Sequence, residues 1–302
     1  MQATDHRVVV YYQTTHYNGS ATNDVSLLPL INSQPEVLTA HVLLIGAIHV
    51  VTEEQGWMRL NDYTPDNPIF DHVWSDAAVL QAAGVAVMVM VGGAAPGSWP
   101  RLGGDEANFE LYYGHLRDFV GTYNIHGLDL DVEQSMPLSD IIRLIDRLRA
   151  NFGDDFIISL APVASALTEG GGNLSGFNYF ELEAQRGSSI DFYNGQFYYG
   201  RGDASSAADY EDIIDDGFPA EKVLTAENPT FGGVAGWEYF NSLPGGDNAP
   251  WEWAAWMADA MESDASVVKR EISSTEKLRR AVRKEYKPLR REAKHVYRNY
   301  IA

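Results

Sequence analysis

Short β-branched or aliphatic runs alternate with longer amphipathic stretches along most of this chain. The runs are Val8–Tyr12, Val42–Ile48, Val85–Val91, Gly127–Val132, Phe156–Leu160, Ile190–Tyr198, Val223–Ala226 and Gly232–Trp237. Between most of them lie helical patterns: Asp71–Ala83, Glu106–Tyr123, Leu138–Phe152, Tyr179–Gln185 and Ala207–Asp215. Strands separated by helices cannot close as hairpins, so they build βαβ units and a parallel sheet. Eight strands over about 250 residues predict an α/β fold, the (β/α)8 TIM barrel. An open doubly wound sheet is the alternative. No glycine-rich phosphate loop follows the first strand, where a dinucleotide-binding sheet of that kind needs one. One spacing departs from the pattern. Only Glu227–Phe231 separates the seventh and eighth runs, whereas a parallel crossover takes about 10–12 residues with its helix. Either one strand assignment is wrong or the seventh barrel helix is missing.

Composition narrows the function. The 45% hydrophobic content is ample for a packed core. The absence of cysteine excludes disulfides, thiolate metal sites and a cysteine nucleophile. No apolar run reaches the length of a membrane span, so no membrane partner is expected. The first residues, MQATDHRVVVYYQ, carry no basic segment followed by a long apolar one. That places the chain in the cytoplasm by default, and outside the cell if it is a mature or truncated form. Charge is uneven. Of 22 Lys/Arg and 42 Asp/Glu, twelve bases and four acids fall between Lys269 and Arg298. The tail is therefore near +8 and the rest near −28. Such a body repels phosphates, so the barrel is no nucleic-acid binder, and it suits a neutral or cationic ligand. A boundary near residue 264 divides a barrel, 1–264, from a basic tail, 265–302. The tail opens on a capping-box pattern, Ser273-Ser274-Thr275-Glu276, and is helix-prone with a break at Pro288. It reads as a solvated basic helix or as a segment that docks on an acidic surface, its partner unknown.

The segment Gly127-Leu128-Asp129-Leu130-Asp131-Val132-Glu133 carries the chemistry. In a strand its three acids share one face and its three aliphatic residues the other. In a parallel barrel the aliphatic face packs on helices, and the acids look inward. Three inward carboxylates are costly to desolvate and repel one another, which raises the pKa of at least one. Glu133 lies at the C-terminal end of the strand, where barrel active sites form. A carboxylic acid kept protonated near neutral pH is what a general acid requires. A solvated edge strand and a Mg²⁺ or Ca²⁺ site are the other readings of the bare pattern. His115, His126 and His295 have no metal-ligand spacing.

This stretch resembles the active-site motif of glycoside hydrolase family 18, the chitinases, D-x-x-D-x-D-x-E. His126 stands where the first Asp is expected, and Asp129, Asp131 and Glu133 match. Further segments resemble the family in order. They are Val8–Tyr12 with an inward Tyr11, Val91-Gly92-Gly93, Ala161-Pro162, Tyr193–Tyr198, and Gly232–Trp237. The wording is similar to that of single-barrel fungal chitinases. The resemblance implies a retaining hydrolysis in which the substrate's own acetamido oxygen attacks the anomeric carbon. It implies that Glu133 is the acid and then the base. Asp131 supports the acetamido group, and Asp129 shares a proton with Asp131. Tyr198 and Gln196 position the substrate, Trp237 floors a sugar site, and Tyr11 and Gly93 line it. No metal and no cofactor are implied. The expected substrate is chitin or a chitooligosaccharide. An endo-β-N-acetylglucosaminidase acting on N-glycans would use the same acids. A non-catalytic sugar-binding protein would require a damaged barrel, because Glu133 is present. The short link after the seventh strand suggests a loss of about 30 residues relative to the family pattern. That would leave the barrel locally open and could displace Trp237.

Overall fold

The computed structural model describes residues 7–17, 20, 22–32, 40–224 and 232–262. Among the described residues nine strands are present: β1 (Arg7–Tyr12), β2 (Val42–Val50), β3 (Met58–Leu60), β4 (Ala86–Gly92), β5 (Gly127–Asp131), β6 (Ile157–Leu160), β7 (Phe192–Asn194), β8 (Val223–Leu224) and β9 (Gly233–Gly236). The helices are α1 (Pro29–Asn32), α2 (Asp71–Ala82), α3 (Ser98–Leu102), α4 (Glu106–Thr122), α5 (Leu138–Phe152), α6 (Tyr179–Arg186), α7 (Ala208–Asp215) and α8 (Glu252–Glu262). Strand order is β8-β7-β6-β5-β4-β2-β1-β9, with β3 antiparallel on the β2 edge. Every ladder along that path is parallel. The two end strands meet where the Gly232 N–H donates to the Val223 carbonyl at 3.1 Å. The fold is thus a nearly closed eight-stranded parallel barrel wrapped by helices, as the alternation predicts.

Period-two patterning sorts the core into two shells. Val9, Tyr11, Val42, Leu44, Met88, Met90, Ile157 and Phe192 form the cluster inside the barrel. Their neighbours in sequence, among them Val8, Val10, Leu43, Val87, Leu128 and Leu130, join the larger cluster under the helices. Each such aliphatic side chain, fully buried, contributes about 1.5–3 kcal/mol. The helices start where the chain offers a cap. The Asp105 carboxylate accepts from the Asn108 N–H at α4, and the Asn178 side chain from Phe180 and Glu181 at α6. On α5, Ile141, Leu144, Ile145 and Leu148 are buried, the 3.6-residue stripe that the sequence shows. No described helix is long and apolar enough to cross a membrane.

Some boundaries differ from the sequence reading. The run Ile190–Tyr198 is a strand only over Phe192–Asn194. Beyond it the chain leaves the ladder, and Gln196 pairs in isolation with Val163. The edge hairpin strand β3, α3 and α8 were not foreseen, since each is short or lies beyond the last run. Trp253 of α8 packs against Gly236, with ring atoms where a Cβ would stand, 2.7 Å away. Among the described residues no helix lies between β8 and β9, whereas each other parallel step carries at least one. Asn228-Pro229-Thr230-Phe231, where the sequence places the missing helix, lies outside the described residues. So does the whole basic tail, with the boundary near residue 264.

Candidate active site

The acids of β5 stand one above another on the inner face because the strand alternates. Gly127 opens the strand against β6. A Cβ there would lie 2.3 Å from the Ile157 carbonyl oxygen, so only glycine permits the approach. Asp129 is wholly buried and fixed by three donors from three other strands. Tyr11 Oη of β1 donates to its Oδ2 at 2.7 Å. Ser159 Oγ of β6 and Asn194 Nδ2 of β7 donate to its Oδ1 at 2.6 and 3.0 Å. Asp131 follows, 6% exposed. Gln196 Nε2 donates to Asp131 Oδ1 at 3.0 Å, to the Ala161 carbonyl at 2.8 Å, and reaches Glu133 Oε1 at 3.5 Å. Glu133, just past the strand, is half-buried. The column runs from a locked, buried acid to an accessible one at the C-terminal mouth of the barrel.

Electrostatics follow that gradient. Burial raises the Asp129 pKa, while its three hydrogen bonds favour the ionised form and hold the rise back. Asp131 is pushed well above the usual carboxylate range by burial, then by the Glu133 and Asp129 charges, with Gln196 opposing. Burial also raises Glu133, against the pull of the Gln196 amide and the Arg201 guanidinium. No hydrogen bond joins Asp129 to Asp131 among the described residues. Asp129 directs both oxygens to Tyr11, Ser159 and Asn194. Loss of hydration raises the Tyr11 phenol well above its usual value, and the Asp129 charge adds to it.

The remaining predicted residues converge on the same mouth. Gly92 and Gly93 both have positive φ, +101° and +82°. Gly93 passes so close to Asp131 that a Cβ would sit 3.6 Å from Oδ2, and its N–H donates to the Asp131 carbonyl at 2.9 Å. Tyr198 is 43% exposed, and its phenol is raised by burial of the hydroxyl end and by the Asp131 and Glu133 charges facing it. Trp237 follows β9 directly, is 48% exposed, and meets the Tyr11 ring edge-on at 5.5 Å. Its neighbour Glu238 is clamped to the loop after β1. Oε2 accepts from the Gln13 and Thr14 N–H groups at 3.1 and 2.8 Å, and Oε1 from Thr14 Oγ1 at 2.8 Å. His126, the departure from the family motif, sits at the opposite end of β5, where its Nδ1 accepts from the Val87 N–H at 3.4 Å.

Four residues were not singled out from the sequence: Ser159, Asn194, Arg201 and Glu238. The first two have a readable signal. Ser159 pairs with Asp129 in the β5–β6 register, and Asn194 precedes Gln196 by two on the same face. Arg201 and Glu238 lie on loops, and no periodicity marks them.

No protein-family model matches the sequence. Among curated proteins it is 26% identical over 125 residues to Chitinase D of Niallia circulans; the match spans 36% of this chain but only 23% of that protein. Solved structures are much nearer. A fungal endo-β-N-acetylglucosaminidase of glycosyl hydrolase family 18 is 44% identical with a TM-score of 0.78, covering 85% of this chain and 98% of that one. The chitinase ChiC of Aspergillus fumigatus is 43% identical with a TM-score of 0.73, covering 85% of this chain and all of that one. With likeness at that level over nearly the full length of both, and with the acid column intact, the chain belongs to glycoside hydrolase family 18.

Proposed function

We propose that this glycosidase hydrolyses β-1,4-linked N-acetylglucosamine chains with retention, using Glu133 as general acid and then base. The observation that carries the reading is the Gln196 amide held between Asp131 and Glu133, at 3.0 and 3.5 Å, with the half-exposed Trp237 packed edge-on against the Tyr11 ring. Glu133, raised by burial, keeps a proton to deliver to the glycosidic oxygen. As that bond breaks, the substrate acetamido oxygen bonds to the anomeric carbon and forms an oxazolinium ion, with no protein nucleophile. Asp131 accepts the acetamido N–H and stabilises the positive charge. Tyr198, whose hydroxyl makes no hydrogen bond among the described residues, is free to donate to the acetamido oxygen. The Glu133 carboxylate then takes a proton from the water that opens the ring, which restores the acid. Gln196 holds Asp131 in place, and the Asp129 charge beneath it raises the Asp131 pKa. Trp237 offers its exposed face to a pyranose ring.

Hydrolysis of the chitobiose core of N-glycans is the second reading, favoured by the 44% identity to a fungal endo-β-N-acetylglucosaminidase. The same acids serve both, and the test must separate the substrates. The purified 302-residue chain and Glu133→Gln are incubated with chitotetraose, chitopentaose and a high-mannose N-glycopeptide, and products are resolved by chromatography. Cleavage of the oligosaccharides by the parent is expected, with a loss of about 10²–10⁴-fold in Glu133→Gln. Cleavage of the glycopeptide alone transfers the assignment to the second reading. Binding of both substrates without cleavage of either overturns the enzymatic proposal.

A further inference from the structure

The loop after β1 and the first turn of α2 bring together two imidazoles and a carboxylate that the glycosidase site does not use. Nε2 of His16 lies 3.4 Å from Asp24 Oδ1, and Nδ1 of His72 lies 3.7 Å from the same oxygen. One ligand atom from each of the three falls within 4.8 Å of the others. His16 is 7% exposed, and its Nε2 is buried without a hydrogen-bond partner. The family resemblance implied no metal, and His16, Asp24 and His72 are too far apart in the chain for a ligand spacing to show.

The hydrogen-bond network sets which nitrogens carry lone pairs. His72 Nε2 stands 3.1 Å from the Thr15 carbonyl and 3.2 Å from Tyr12 Oη. The Tyr12 hydroxyl donates to the Val25 carbonyl at 2.7 Å, so it accepts from His72. A carbonyl accepts only, so His72 carries a proton on Nε2, and in the neutral ring Nδ1 turns a lone pair toward Asp24. His16 Nδ1 is engaged by Thr15 Oγ1 at 2.8 Å, leaving Nε2 to face the same carboxylate. The two imidazole rings meet edge-on with centroids 4.7 Å apart. A lone pair that faces a carboxylate oxygen repels it unless a proton or a metal ion lies between them.

We infer that His16 Nε2, Asp24 Oδ1 and His72 Nδ1 form a Zn²⁺ site, with a fourth position open to water. Two imidazole nitrogens and one carboxylate oxygen are a zinc-type donor set. Tetrahedral zinc with bonds of about 2.0–2.1 Å sets its ligand atoms about 3.3 Å apart; the two nitrogen–oxygen separations here are 3.4 and 3.7 Å, and all three atoms lie within 4.8 Å of one another. The Thr15 carbonyl behind His72 is the outer hydrogen bond that orients a metal-bound imidazole. The role is structural. The ion would tie His16 and Asp24 to α2 two residues beyond Thr14, whose N–H holds Glu238 and hence the Trp237 corner.

The test uses the full chain, stripped with EDTA and dialysed. Zn²⁺ is titrated by calorimetry, Co²⁺ by visible absorption, and melting is followed with and without Zn²⁺. One Zn²⁺ per chain, a rise in Tm reversed by EDTA, and the d–d bands of low-coordinate Co²⁺ are expected. Asp24→Asn, at a 48% exposed side chain, should keep the parent circular dichroism and weaken Zn²⁺ binding about tenfold or more. His72→Gln should do the same. No binding by the parent overturns the site and leaves a His72–Asp24 ion pair. Binding that both variants retain undiminished places the metal elsewhere and also overturns it.

Discussion

In the proposed mechanism Glu133 is protonated to act as an acid and ionised to act as a base, so its surroundings would set the working pH. Burial lifts its pKa; the Gln196 amide and the Arg201 guanidinium draw it down. Arg201 is held in place by its backbone. Its N–H donates to the Tyr198 carbonyl at 3.2 Å, and its carbonyl accepts from the Ser165 N–H at 2.8 Å. In Arg201→Met the loop keeps these bonds and loses only the charge. The carboxylate is then less favoured, Glu133 holds its proton to higher pH, and the alkaline limb of kcat/KM moves upward. A pH–rate profile on chitotetraose checks this, and an unmoved alkaline limb would mean that Arg201 does not face Glu133 in solution. Arg201 could not be found from sequence, because its effect depends on a turn that folds it back over the mouth. Asp129, Asp131 and Glu133 could be found, since alternation along one strand places them without knowledge of any other.

At the scale of elements, the barrel presents its site through the joins between strands. The β5–β6 register sets Ser159 beside Asp129, and the β1–β9 register, Val10 opposite Gly236, delivers Trp237 to Tyr11. Strand identity and order were legible from the runs and the helical patterns between them. The lengths were not, because β7 stops where side-chain bonds and turns replace the ladder. The corner after β9 rests on Glu238. Its carboxylate satisfies two backbone N–H groups and a hydroxyl at the end of β1. Hydrogen bonds to a charged group are worth about 1.5–3 kcal/mol each in net terms. Glu238→Ala should therefore lower stability by at least one such bond and release the Trp237 corner. A stacking platform holds the sugar in ground and transition states alike, so KM should rise while kcat changes little. Steady-state kinetics with denaturant melts of parent and variant check both parts. A fall in kcat at unchanged KM would assign Glu238 a different role.

Across the whole molecule, function is set against stability along the axis of the barrel. An apolar inner layer of Val9, Val42, Leu44, Met88 and Phe192 stabilises the fold. The acids above it do the reverse when ionised, because Asp129, Asp131 and Glu133 all have raised pKa values in the folded state. A carboxylate whose folded pKa is raised binds more protons folded than unfolded. Stability is then greatest below the unfolded pKa and is lost as pH rises through the folded one. Asp131 contributes most to this loss, being pushed furthest by burial and by the acids on either side. Asp131→Asn keeps a side chain of the same shape and an oxygen for the Gln196 amide, and removes the charge. The variant should melt several degrees above the parent at about pH 8, and the gap should narrow as pH falls toward about 4, where the parent Asp131 is itself neutral. In the proposed mechanism its hydrolysis of chitotetraose should fall sharply at about pH 8, where the positive charge on the acetamido group loses its counter-ion, and the deficit should shrink as the parent Asp131 is neutralised at lower pH. Melting curves across that range, with activity measured on the same samples, check the two together. A variant that is less stable than the parent at about pH 8 would show that the Asp131 carboxylate supports the fold and that burial is not its main cost.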